Sequence, residues 1–204
     1  PAYCCESMIL PFTKRGWTVL FYSLNYDLTV NTNELKSLCN KFLPKAILVM
    51  NYFGLTNTYE ISTYIKSISE SIFIIEDITH VLFDFNVLEN KHVDFFVGSI
   101  RKWIGINVGA LLVSNHNLPS YPLIENIDFI KLRNEAQFLK YKYTSNKNSY
   151  LKDEYLKKLK EAEVLLESYG TVHTISDISL NMIKTINYKS LSYRRRENFY
   201  HLLS

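Results

Sequence analysis

SIFIIEDITHVLFDF, residues 71–85, is the stretch on which the fold turns. It is almost wholly apolar until two adjacent acids, Glu76 and Asp77, and His80 follows three residues after the second. A near-continuous apolar run of this kind reads as a strand covered on both faces, as in a parallel sheet. Ionised acids are rarely buried without a partner. The end of this strand therefore needs a reason to hold charge.

The runs around it have the same character. TVLFYSL (18–24), AILVMNYF (46–53) and VDFFVGS (93–99) predict further strands. GALLVSN (109–115) follows after a gap of about ten residues, too short for a helical crossover, so it is expected to run antiparallel to the strand before it. Between the strands lie helical patterns. TNELKSLCNKFL (32–43) has Thr32 as its expected N-cap and places Leu35, Leu38, Cys39 and Phe42 at helical spacing. TYEISTYIKSIS (58–69) repeats that spacing. Alternating strands and helices predict an α/β fold with a mostly parallel sheet and flanking helices.

After Pro122 the character changes. Residues 125–143, 151–170 and 176–203 read as helices, with Gly170 as a stop for the second. TSNKNS (144–149) reads as a mobile loop. One boundary is therefore expected, between a sheet-bearing part, 1–122, and a helical part, 123–204.

A net charge of +3 is too small to argue for nucleic acid, and the Arg194–Arg196 cluster reads as a solvated face or as partners for carboxylates. No run is long enough for a membrane span. Cys4, Cys5 and Cys39 are too few for a disulfide framework and point to a reducing compartment, the cytoplasm.

Open α/β sheets bind ligands outside the carboxyl ends of their strands. Successive predicted strands end there in Asn51, in Asp77 with His80, and in Ser99 with Lys102. Each alone is weak: an Asp at a strand end is often a cap, and such a histidine is often structural. Together on one edge they suit pyridoxal 5′-phosphate. That cofactor needs a lysine amine for a Schiff base, an anion to keep its pyridine nitrogen protonated, and hydroxyl and N–H groups for its phosphate.

PAYCCESMILPF (1–12), VLFYSLNYDLTVNTNEL (19–35), VMNYFG (49–54), IIEDITHVLF (74–83), GSIRKWIGINVGALL (98–112) and the Arg-rich SDISLNMIKTINYKSLSYRRRENF (176–199) give the chain its resemblance to a family. It resembles the DegT/StrS-type sugar aminotransferases, which are fold-type-I pyridoxal-phosphate enzymes, most strongly over residues 46–112. The resemblance implies that Lys102 is the Schiff-base lysine and proton shuttle, and that Asp77 pairs with the pyridine nitrogen. It implies that Thr79 packs against the ring, that His80 and Asn51 approach its hydroxyl, and that Ser99 bonds the phosphate. Tyr3 and the Cys4–Cys5 pair fall beside the substrate space, and Arg101 is taken as structural.

The implied reaction moves an amino group from an amino acid, glutamate, to a keto-sugar nucleotide, in a homodimer that covers the open sheet edge and helix faces. The resemblance also implies residues beyond both ends of the chain: a phosphate-cradling turn before it and a small closing domain after it. A second reading stays open, a non-catalytic relative with a structural or partner-binding role.

Overall fold

The structure, a computed structural model, describes residues 1–120 and 122–203. Tyr121 and Ser204, which fall within the expected segments 1–122 and 123–204, lie outside the described residues. The chain divides into two compact units that interleave in sequence, rather than parting at one point near 122. The first unit comprises Pro1–Ala2, Tyr22–Leu118 and the segment from Asp177 onward; the second comprises Tyr3–Phe21 and Pro119–Ser176.

The first unit carries the sheet. Strands β1 (Ala46–Met50), β2 (Phe73–Asp77), β3 (Phe95–Ser99) and β4 (Ala110–Ser114) lie side by side in that order. β1, β2 and β3 are parallel, and β4 is antiparallel to β3, as the short gap before it predicts. Register places Met50 beside Asp77 and Asp77 beside Val97, so the first three strands end along one edge. Residues 18–24, expected as a strand, form none. Only Leu24 joins an isolated bridge, to Val30, while the Tyr22 hydroxyl donates to the Leu48 carbonyl at 2.7 Å.

Two helices precede and follow β1. The first, spanning Thr32–Phe42, starts one residue earlier than Thr32 as a cap would require. Asn31 is the cap instead, its side chain accepting from the Glu34 N–H at 3.1 Å. This ordering follows from carbonyl reach: an Asn oxygen bonds the backbone three residues on, and Thr32 becomes the first helical residue. The second, Thr58–Ile68, is capped the same way by Asn57. Leu35 and Cys39 from one helix and Ile61 and Ile65 from the other join Ile47, Val49, Ile74 and Phe96 of the sheet in a single core.

Numbered in chain order with the short helix Glu6–Thr13 as α1, those two helices are α2 and α3. Helix α1 begins just after Cys5 and was not legible as a helix, because Pro11 interrupts its pattern. The second unit contains α1 together with α4 (Ile127–Asn146) and α5 (Ser149–Ser168). The stretch 144–149, expected as a mobile loop, is mostly helical. The Thr144 and Ser145 hydroxyls bond back to the Tyr141 carbonyl in the last turn of α4, and Asn148 caps α5 through the Tyr150 N–H at 2.9 Å. Lys147 takes a left-handed conformation, φ 53°, and ends α4. Helix α5 stops at Ser168, so Gly170 lies past its end and does not take the left-handed capping conformation. Lys158–Glu135 at 2.5 Å, Arg133–Glu163 at 3.5 Å and the Tyr143–Tyr155 ring pair mark α4 and α5 as an antiparallel hairpin.

The first unit closes with α6 (Asp177–Thr185) and α7 (Tyr188–Leu203), two helices where the sequence suggests one long helical stretch. Among the described residues, no helix is long and apolar enough to cross a membrane.

Candidate active site

The two acids of β2 point to opposite faces of the sheet, as strand alternation requires. Glu76 lies in register between Val49 and Phe96, on the face that packs against α3. It is completely buried, and its Oε1 accepts from the Asn51 side-chain amide at 3.4 Å. Burial pushes its carboxyl above the usual range; hydrogen bonds from Thr58 and Asn51 pull it down in part, and the charge of Asp77 pushes it further up. Two buried atoms here lack a partner, Glu76 Oε2 and Asn51 Oδ1. Burial thus favours the neutral acid over the anion at this position.

A carboxyl raised in the fold is no burden while both states are protonated. It weakens folding as pH rises above the unfolded value of about 4.3 toward the folded one. Glu76→Gln removes that loss, and is expected to be more stable than the native chain at pH 8 by about 1–3 kcal/mol, the desolvation cost of a buried polar group. Urea unfolding at pH 5 and pH 8 checks this: the advantage must grow with pH.

Asp77, on the other face, is buried to 8% exposure at the end of β2. Its Oδ1 accepts from the Thr79 N–H at 2.8 Å. Among the described residues, no ion pair joins a cation to this carboxylate. The 3₁₀ turn Thr79–Val81 follows and carries His80. The His80 ring stacks on Phe53, centroids 4.3 Å apart, and its Nδ1 accepts from the Phe53 N–H at 3.4 Å. The proton of the neutral ring therefore sits on Nε2. Burial holds the His80 pKa below its ordinary value; Asp77 raises it and Lys102 lowers it. Both charges thus act on one imidazole.

Lys102 ends the one-turn 3₁₀ helix Ile100–Lys102 that follows β3, and its side chain is exposed. Ser99 is the last residue of β3, and its N–H donates to Thr79 Oγ1 at 3.0 Å. Thr79 is thereby a hub: its N–H goes to Asp77, its hydroxyl oxygen receives Ser99, and its carbonyl receives the Trp103 indole N–H. Gly98 makes this approach possible, because a Cβ there would stand 2.5 Å from Leu82 Cδ1 and 3.3 Å from Ile78 Cγ1.

The structure thus brings Asp77, Thr79, His80, Ser99 and Lys102 to one sheet edge. Asn51 differs: its amide turns inward, to Glu76 and Thr58. Tyr3, Cys4 and Cys5 belong to the second unit. Sequence reasoning missed Trp103 and Glu76 as structural partners of this edge. An indole next to the lysine was visible, but its link to residue 79 depends on tertiary contact. The chain matches no protein-family model, and no curated protein matches it.

Proposed function

We propose that this edge is a pyridoxal-phosphate site of aminotransferase type. The observation that carries the proposal is Asp77: a buried carboxylate with no cation paired to it among the described residues, at the end of β2, on the edge where an exposed lysine follows β3. A buried anion without a counter-charge is costly, and a protonated pyridine nitrogen supplies that charge. The residues present fit the group: an anion for the ring nitrogen, an amine for covalent attachment, a hydroxyl at Ser99 for phosphate, and an imidazole N–H for the ring oxygen.

Bound there, the cofactor supplies an electron-withdrawing ring that makes the α-C–H of an amino acid acidic. Asp77 holds the ring nitrogen protonated. Lys102 would tether the group, and its amine, once displaced by the donor's amino group, would be free to take the proton from the donor's α-carbon. His80, neutral, donates from Nε2. Burial raises the Glu76 carboxyl on the opposite face of β2 and so disfavours a second negative charge next to Asp77. The donor we infer is glutamate and the acceptor a keto-sugar nucleotide, both from the resemblance to the DegT/StrS-type enzymes, and the same reading includes a cytoplasmic homodimer. Sedimentation as a compact monomer at micromolar concentration contradicts the dimer.

One observation favours the second reading, a non-catalytic relative with a structural or partner-binding role. The Asn51 amide is spent on Glu76 and Thr58, and the Thr79 N–H and hydroxyl oxygen are spent on Asp77 and the Ser99 N–H. Mixing the chain with pyridoxal phosphate and glutamate, and measuring 2-oxoglutarate, separates the two. Formation stoichiometric with the chain supports the enzyme; none supports the scaffold.

A further inference from the structure

The arginine cluster on α7 is exposed, as a solvated face requires, and its middle member also makes a ring contact. The Arg195 guanidinium lies over the Trp103 ring, with Cζ 4.1 Å from the centroid. Trp103 is the residue after Lys102, and its backbone N–H closes the 3₁₀ turn on the Ile100 carbonyl at 2.9 Å. Its indole N–H bonds the Thr79 carbonyl, and its ring edge meets Phe83 at 5.2 Å and 78°.

Trp103 therefore ties together the two turns that matter. One carries Lys102. The other carries Thr79 and His80 and, through the Thr79 N–H, holds Asp77. An indole held on one edge by Phe83 and at its N–H by Thr79 still has a ring face to fix, and Arg195 covers it. The contact reaches this edge from a helix some ninety residues later in the chain, a cation on an aromatic face being a preferred pairing for arginine. Phe83 is itself held from α7, since its ring lies 5.0 Å from that of Tyr188.

We propose that Arg195 is a positioning residue for Lys102: through Trp103 it locks the lysine turn against the turn that carries Asp77 and His80. The inference rests on the proposed site for its functional meaning, but the contact can be tested without the cofactor. Helix α7 then orients the amine without touching any substrate.

The test uses two probes in a Trp17→Phe background, which leaves Trp103 as the reporting indole. The first is acrylamide quenching of Trp103 fluorescence. The second is reductive ¹³C-methylation of the lysines, with the Lys102 resonance assigned by Lys102→Ala. Arg195→Ala is expected to raise quenching and to shift the Lys102 resonance, loosening the locked turn by about two- to fivefold, the weight of an exposed cation–π contact. Arg195→Lys keeps the cation and is expected to restore part of both. Arg194→Ala, its exposed neighbour, is expected to change neither. If Arg195→Ala leaves both signals as in the parent, or if Arg194→Ala moves them equally, the proposal is overturned. Neither probe needs pyridoxal phosphate. A chain that fails to take the cofactor overturns the proposed function and leaves this test intact.

Discussion

Asp94→Asn is expected to destabilise the first unit by about 1.5–3 kcal/mol at neutral pH, the weight of hydrogen bonds to a charged group largely out of water. Asp94 sits just before β3, and its carboxylate serves three elements. Oδ2 accepts from the Ile74 N–H of β2 at 2.7 Å and from Lys66 of α3 at 3.0 Å, and Oδ1 meets His116, just past β4, at 2.8 Å. Lys66 and Asp94 are 10% and 13% exposed, so the amide variant leaves a poorly hydrated cation with only the Ile72 and Glu70 carbonyls, at 2.9 and 3.4 Å, as acceptors. Burial pushes the Asp94 carboxyl up, but the Ile74 N–H, His116 and Lys66 outweigh it and hold it below its ordinary value. A depressed carboxyl contributes stability that is present above the unfolded value of about 3.9 and is lost as pH falls through the folded one. The native chain should therefore lose stability on acidification below about pH 4 more steeply than Asp94→Asn does. Urea unfolding across pH measures both effects. A variant within about 0.5 kcal/mol of the native chain, the range of an ordinary surface substitution, would contradict this account.

The second large effect concerns Asp77. Asp77→Ala is expected to lower the glutamate half-reaction by about 100- to 1,000-fold, the cost of removing one preorganised electrostatic partner. Attachment at Lys102 should persist, because the amine does not depend on Asp77 for its bond. Alanine also removes the acceptor for the Thr79 N–H, so Asp77→Asn is the cleaner variant: it keeps an oxygen for that N–H and loses only the charge. Equal loss in both variants assigns the effect to charge. Unchanged turnover in Asp77→Asn removes the anion from the mechanism.

The sheet was legible where burial on both faces gave continuous apolar runs, as at 46–50, 73–77 and 95–99. The antiparallel β4 followed from the length of one connection. Residues 18–24 carry the same apolar signal, yet a ladder needs a neighbouring strand, and hydrophobicity alone does not supply one. The polar run 144–149 misled for the opposite reason. Its Thr, Ser and Asn side chains bond their own backbone, and such bonds can finish and start helices as readily as they make loops. Of the site, Asp77, His80, Ser99 and Lys102 could be placed on one edge because strand ends in a parallel sheet are predictable. The inward turn of Asn51 could not, because it depends on Glu76 lying in a row with Val49 and Phe96. Nor could Arg195, whose partner is fixed only once α7 has packed.

On the proposed reading, Lys102 is an amine set apart from the other lysines by its neighbours at the sheet edge. Incubation with pyridoxal phosphate, borohydride reduction, digestion and mass spectrometry tests it most directly. The pyridoxyl mass is expected to concentrate on Lys102 and to be lost in Lys102→Ala. The same label spread thinly over many lysines, with no excess at Lys102, would contradict it and leave the edge as scaffold.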